Sequence, residues 1–232
     1  MPVSRQLLRQ FPLLQPLAEQ ALDQLSAGMR LRSYARRETV VSKDDKNSFL
    51  GFLVDGRLQG LDFTVDGRGV GLFFVDPSDY FGELSVIDNQ APSEYVVAAT
   101  KSTVAALDAT QARELVINSP AIAQAVMLRM AQRTRAAMAQ RTLLALPTPF
   151  QRLCAMLLTL WRQQPSDTAL IVNVPTHQEL AIMINASRET VTRAFQVLFF
   201  QKDLARVGND LHVLQAANLK AYAEGRSSPM KS

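Results

Sequence analysis

Cysteine is almost absent from this chain of 232 residues: Cys154 stands alone. One thiol cannot close an intrachain disulfide, and it cannot hold an iron–sulfur cluster, which takes about four. Histidine is nearly as scarce, with only His177 and His212. Neither lies at a metal-ligand spacing, and Cys154 has no histidine near it in sequence. No glycine-rich loop of the P-loop type occurs. The chain is therefore expected not to be an enzyme and to bind no metal. Residues 1–176 contain no histidine, which removes the usual protein ligand of a haem from that region. Long apolar runs are missing too. None approaches the roughly 18 residues that span a membrane. The opening M-P-V-S-R-Q-L-L-R-Q lacks the apolar core of a signal peptide, so a cytoplasmic location is expected, with no membrane partner. Between Leu115 and Ser166 there is no acidic residue, yet Arg129, Arg133, Arg135, Arg141, Arg152 and Arg162 all fall there.

What remains is an ordinary globular composition, 47% hydrophobic and 20% charged, with a net charge of +4. The length suits one large or two small domains, and the mild basic excess permits a nucleic-acid partner without requiring one. Residues 5–27 have helical spacing punctuated by Pro12 and Pro16. Residues 29–107 change to short apolar runs at 39–41, 49–54, 58–65, 69–75, 86–87 and 95–99, with Asp55-Gly56 and Asp66-Gly67 as hairpin turn signals. That texture predicts an all-β barrel or jelly roll. A helix rich in Ala, Met, Leu, Gln and Arg follows over 120–146. Pro147 and Pro149 end it as a hinge. A second amphipathic helix covers 150–162, with Cys154 as a packing residue inside it. Residues 169–174 are β-rich. A hairpin is expected over 205–214, a short helix over 218–223 and a disordered tail over 225–232.

Residues 176–206 carry the most information. Thr176 stands at an N-cap position with Glu179 three residues on, a capping box. Leu180, Ala181 and Ile184 line an inward face. Asn185 breaks the helix where a tight turn needs left-handed backbone. Ser187 caps a second helix with Val191, Phe195 and Leu198 inward. Two short helices joined by such a turn are a helix-turn-helix. On the second helix Arg188, Glu189, Thr192 and Arg193 share one face. Arginine can fork onto guanine O6 and N7, and a glutamate can accept from the cytosine amino group. The same spacing also fits a solvated helix with ordinary pairing of Glu189 to Arg193.

The segments T-H-Q-E-L-A and S-R-E-T-V-T-R, together with F-P-L-L-Q-P-L-A-E-Q-A-L-D-Q-L, V-D-G-R-L-Q and F-G-E-L-S, resemble the Crp/Fnr family of bacterial transcription regulators. The resemblance implies an α+β chain in which a cyclic-nucleotide-binding-type β-roll (residues 1–118) precedes a long dimerisation helix (119–146). A winged helix-turn-helix (147–224) and a tail (225–232) complete it. It implies base reading by Arg188, Glu189 and Arg193, joined by Thr192 on the same face. Phosphate contacts would come from Thr176, His177, Gln178 and Ser187. The implied partners are palindromic double-stranded DNA with TGTGA-like half-sites, a second copy of the chain, and RNA polymerase. The family turn usually carries glycine where this chain has Asn185.

In the family, F-G-E-L-S opens a phosphate cassette. Gly82 would admit the nucleotide backbone, Glu83 would accept from the ribose, and an arginine about ten residues later would hold the cyclic phosphate. Here that position is Pro92, followed by Ser93 and Glu94. Proline offers neither charge nor N–H. The adenine-contacting Thr-Ser pair, counted back from Arg152, falls on Ala137 and Met138. The chain is thus expected not to respond to cyclic AMP in the family manner and to hold no iron–sulfur or haem cofactor. The expected effector pocket comprises Gly82, Glu83, Ser93, Arg129 and Arg133. Arg129 and Arg133 either pair with acids of the β-roll or meet an anionic effector such as a cyclic dinucleotide. The alternatives are an effector-independent regulator and a small-molecule sensor that acts through a protein partner. The apolar row of the long helix is expected to run through Ile122, Ala125, Leu128 or Arg129, Gln132, Arg135 or Ala136, and Leu143, facing a twin helix as an imperfect coiled coil.

Overall fold

The computed structural model describes residues 3–43, 45, 48–65, 67, 69–164 and 169–227. Asp66 of the second turn signal and residues 228–232 of the expected tail lie outside them. The chain divides into two compact units, residues 1–62 with 72–136, and residues 63–71 with 137–232.

The first unit begins with α1 (Arg5–Leu8), a 3₁₀ turn (Pro12–Leu14) and α2 (Glu19–Gly28). The prolines break what the sequence presents as one helical stretch, because each lacks the N–H that an internal turn requires. Eight strands follow: β1 (Arg30–Tyr34), β2 (Thr39–Val41), β3 (Phe49–Asp55), β4 (Leu58–Phe63), β5 (Gly69–Val75), β6 (Tyr80–Phe81), β7 (Tyr95–Ala98) and β8 (Ser102–Asp108). They form two four-stranded sheets, ordered β1-β8-β3-β6 and β2-β7-β4-β5. Leu53, Leu58, Phe81, Val96 and Val104 form one core cluster of this roll. Sheet faces covered on the inside and solvated outside are the stable solution for strands of this alternation.

Two helices interrupt the roll where the sequence reads otherwise. The apolar pair Val86 and Ile87, expected in a strand, lies in α3 (Glu83–Asp88). Gly82 caps that helix with left-handed backbone at φ 87°, and a run of two apolar residues is too short to hold a strand against it. Val86 is buried and Ile87 is exposed. The second helix, α4 (Ala109–Asn118), is capped by the Asp108 side chain accepting from the Thr110 N–H. It buries Ala112 and packs Ala109, Leu115 and Val116 against the core.

Helix α5 (Pro120–Leu144) is the longest of the described residues. The row expected to face a twin helix is partly taken up by the chain's own core. Ile122 and Val126 are buried in a core cluster with Leu8, Phe11, Leu14, Leu22, Phe52, Tyr80 and Leu107. One turn further along come Arg129 and then Arg133, both partly buried. Leu143 is buried as well. The large apolar side chains left outside are Met127, Leu128 and Met138, 58–66% exposed. Ile122 and Leu143 therefore cannot belong to a seam facing a twin helix, since the chain's own core has already claimed them. The free face runs through Met127, Leu128, Ala131, Thr134 and Met138.

In the second unit α6 (Pro149–Arg162) starts with a capping box between Thr148 and Gln151. Cys154 is buried in it, and burial, aided by the charge of Asp203, pushes the thiol up to about 12. Strand β9 (Leu170–Ile171) leads to α7 (His177–Met183) and α8 (Arg188–Phe200). Strands β10 (Leu204–Val207) and β11 (Asp210–Val213) follow, then α9 (Ala216–Ala223). The three strands pair in the order β10-β11-β9, all antiparallel. Leu153, Leu157, Leu180, Phe195, Leu198, Leu211 and Leu219 are buried. Gly225 and Arg226, expected in the tail, instead close α9 by donating to the carbonyls of Tyr222 and Ala221. No helix of the described residues is long and apolar enough to cross a membrane.

Candidate nucleic-acid interface and sensor cleft

The two helices of the motif are fixed by their caps. Thr176 Oγ1 accepts from the Glu179 N–H at 3.3 Å, and Glu179 Oε2 accepts from the Thr176 N–H at 2.5 Å. This satisfies donors that the first turn of α7 leaves without partners. The chain then turns at Asn185, with φ 49°. Asparagine is one of the few residues with a side chain that adopt that left-handed backbone readily. Arg152 of α6 reinforces the turn by donating to the Asn185 carbonyl at 3.3 Å and to the Leu146 carbonyl at 3.0 Å. Ser187 caps α8, its Oγ accepting from the Thr190 N–H at 3.1 Å. Val191, Ala194, Phe195 and Leu198 then bury one face of α8.

The opposite face is polar and open to solvent. Arg188, Glu189 and Arg193 are exposed. Glu189 is held below the usual carboxylate range by the backbone N–H at the helix start, then by the Ser187 hydroxyl and by Arg188 and Arg193. It is thus an acceptor only, the state that suits an amino group on a base edge. Thr176, Gln178 and Ser187 are exposed as well, with the two hydroxyl residues serving as caps. His177 and Thr192 are only half exposed, and they meet. His177 Nδ1 lies 2.9 Å from Thr192 Oγ1. The imidazole stacks on the Phe195 ring, with centroids 4.7 Å apart and planes 7° apart. Burial, then the charges of Arg206 and Arg188, hold the imidazole below its usual value. No local pattern signals this contact, because the two residues sit 15 positions apart across the turn.

In the first unit, Gly82, Glu83 and Ser93 line one cleft, together with Phe49, Pro92 and Glu94. A side chain at Gly82 would bring its Cβ to 2.4 Å from the Phe49 carbonyl oxygen, and the backbone there is left-handed. The fold itself therefore demands glycine at this point. Pro92 sits on the cleft wall, and the Ser93 hydroxyl donates to the Glu94 carboxylate. Arg129 and Arg133 do not line the cleft. They reach from α5 to acids of the roll. Arg129 pairs with Asp79 and lies over the Tyr80 ring. Arg133 donates to the Tyr80 carbonyl at 3.0 Å, lies 4.5 Å from the Phe73 ring centroid, and puts Nη1 2.7 Å from Glu83 Oε1. That last approach is an ion pair by distance but misses hydrogen-bond geometry. Neither Glu83 oxygen has a hydrogen bond among the described residues. Burial outweighs Arg133 and raises the Glu83 carboxyl above its ordinary value. The partners Asp79, Tyr80 and Phe73 escaped sequence reading. The available signal was the acid-free arginine helix set against two acids four residues apart in S-D-Y-F-G-E. Among the described residues no group of three or more His, Cys, Asp or Glu is arranged to hold a metal.

Comparison with known proteins finds two family matches. Residues 31–119 match the family described as the cyclic nucleotide-binding domain, and residues 151–222 match the Crp-like helix-turn-helix domain. The chain is similar to the cyclic AMP receptor protein of Thermus thermophilus, 27% identical over 215 residues that cover 92% of this chain and 97% of the relative. It is also similar to the probable transcriptional regulator flp of Lacticaseibacillus casei, 25% identical over 218 residues, 90% of this chain and 95% of the relative. Among solved structures, FixK2 from Bradyrhizobium japonicum shares the fold, with a TM-score of 0.71 at 19% identity over 84% of this chain and 96% of the other.

Proposed function

Because this chain belongs to the Crp/Fnr family of DNA-binding transcription regulators, we propose that it acts in the cytoplasm as a homodimer that reads palindromic DNA. Each protomer would lay α8 in a major groove, with half-sites about one DNA turn apart. Arg188, Glu189, Thr192 and Arg193 would meet base edges. Thr176, Gln178 and Ser187 would lie at phosphates, with the N-terminus of α7 offering its free N–H groups. The observation that carries this reading is the exposed row Arg188, Glu189 and Arg193 at the start of a capped helix whose other face is core. The exposed Met127, Leu128 and Met138 supply an apolar face for the twin helix. RNA polymerase is the partner through which such a protein acts on transcription.

The effector reading follows from the cleft. Its wall holds Pro92 where a phosphate would need an arginine, and Glu94 adds a second carboxylate near Glu83. Ala137 and Met138 are exposed and offer no hydrogen-bonding side chain. Arg129 and Arg133 already pair with Asp79 and Glu83. This favours an effector-independent regulator over a sensor of cyclic AMP or of a cyclic dinucleotide bound at those arginines.

Anisotropy titration of the ligand-free protein against a palindromic TGTGA duplex and a scrambled duplex, at one fixed salt concentration, tests the main reading. Preferential binding to the palindrome is expected without any additive. Equal, salt-sensitive binding to both duplexes would overturn the base-reading assignment for the ligand-free dimer. Calorimetric titration with cyclic AMP is expected to give no heat of specific binding. Micromolar affinity there would sink the cleft argument, and a gain of DNA affinity with a cyclic dinucleotide would revive the alternative.

A further inference from the structure

Thr192 sits one turn beyond Arg188 on the outward side of α8, next to Arg193, and is half exposed. Its hydroxyl is already engaged. Oγ1 donates to the Arg188 carbonyl at 3.0 Å and lies 2.9 Å from His177 Nδ1. A threonine hydroxyl owns one hydrogen. With that hydrogen on the carbonyl, the oxygen must accept from His177, so Nδ1 carries the imidazole proton. The arrangement holds for neutral and for charged histidine, because both can keep a hydrogen on Nδ1. The histidine is itself held in place by its stack on Phe195, which is buried. The oxygen is thus turned towards the helix backbone and α7. With its one hydrogen spent and one of its two lone pairs taken, the residue can donate nothing to a ligand and keeps a single lone pair and its γ-methyl group.

In the major groove the only apolar mark on a base pair is the C5-methyl of thymine, and a threonine methyl is among the groups that contact it. Resting on the base-reading role proposed for this face, we infer that Thr192 reads a thymine methyl, and that His177 is the positioning residue that turns the threonine for that purpose. His177 then serves recognition through Thr192 rather than as a cationic phosphate contact. Thr192 would add sequence information that Arg188 and Glu189, as hydrogen-bonding readers, do not supply.

The test uses the full-length protein and the palindrome it selects from a random-sequence duplex pool. If no sequence is enriched, the base-reading role of the whole face fails, and that failure is separate from this one. A selected half-site without thymine would overturn the inference directly. With a thymine-containing site, each thymine is replaced by deoxyuridine, one symmetric pair at a time, on both strands. At one position the loss of both methyls is expected to weaken wild-type binding about 15-fold, roughly fourfold for the one buried methyl-sized group of each half-site. Thr192→Ser keeps the hydroxyl and drops the methyl, so it should bind the thymine and uracil duplexes equally. Thr192→Val keeps a methyl and should still discriminate. His177→Ala should reduce the discrimination at that same position while leaving uracil at other positions without added effect. Indifference of the wild type to every uracil, or undiminished discrimination by Thr192→Ser, would overturn the assignment.

Discussion

Changing Arg188 to alanine is expected to weaken binding to the preferred palindrome by about 1–3 kcal/mol per half-site, roughly 5- to 150-fold at 25 °C. The loss should be confined to the sequence that Arg188 reads, so that the variant accepts other base pairs at one position of the half-site. Arg188 is exposed and opens α8 immediately after the Ser187 cap. Its removal should therefore leave the stability of the unit almost unchanged, as is usual for an exposed substitution away from packing. A contrasting change is Lys202→Ala, at an exposed position two residues past the end of α8. If Lys202 touches phosphate, that change should weaken all duplexes alike and lower the salt slope by about one. Binding measured against a set of single-base variants, at two salt concentrations, separates the two behaviours. Uniform weakening by Arg188→Ala across the whole set would show that the residue supplies charge and not base reading.

The second large effect is expected in the first unit. Arg133→Ala should destabilise it by about 3–5 kcal/mol, the usual consequence of leaving a buried charge without its partner. Glu83 is 1% exposed, and Arg133 is the charge that counters its burial. The pH dependence gives the effect its signature. The Glu83 carboxyl is raised in the folded protein, so the folded state holds its proton where the unfolded state has lost it. Stability from this group is therefore present at acid pH and falls as pH rises from the ordinary carboxylate value through the raised one. Without Arg133 the carboxyl rises further, and the fall extends to higher pH. The variant should approach the wild type at acid pH and diverge from it progressively as the pH rises, and Glu83→Gln should flatten the profile. Urea unfolding at several pH values measures this. An equal loss at every pH would trace the damage to the contacts of Arg133 with Phe73 and the Tyr80 carbonyl instead.

What could be read in the sequence was local. The capping box at Thr176 and Glu179, the left-handed turn at Asn185 and the cap at Ser187 each depend on residues within a few positions, and all are found in the structure. The β-roll was legible through its turn residues for the same reason. Other features depend on the partner across the fold. Val86 and Ile87 look like a strand fragment until the left-handed Gly82, held against the Phe49 carbonyl, starts a helix there. The free face of α5 could not be chosen from periodicity. Apolar residues lie on more than one side of it, and only the burial of Ile122 and Val126 decides which side is taken. The arginines of α5 were visible as an excess of charge, but their acids lie 50 residues earlier in the chain. The shared exposed face of Arg188, Glu189 and Arg193 was legible from their spacing. The contact that engages the Thr192 hydroxyl was not, because it requires knowing that α7 and α8 bring His177 alongside.

The burial of Cys154 has a practical consequence. A thiol held at about 12 is almost wholly protonated near neutral pH, and no solvent reaches it in the closed unit. Alkylating reagents attack the thiolate, so they must wait for the second unit to open. With no other sulfhydryl in the chain, the labelling rate becomes an intrinsic clock for that opening. Under mild reagent it reports the equilibrium between closed and open forms, and under strong reagent the opening rate itself. Adding operator DNA should slow the clock under mild reagent by a factor that grows exponentially with the binding energy it contributes to the closed form. The breathing of the DNA-reading half can thus be timed in the intact chain without an introduced probe.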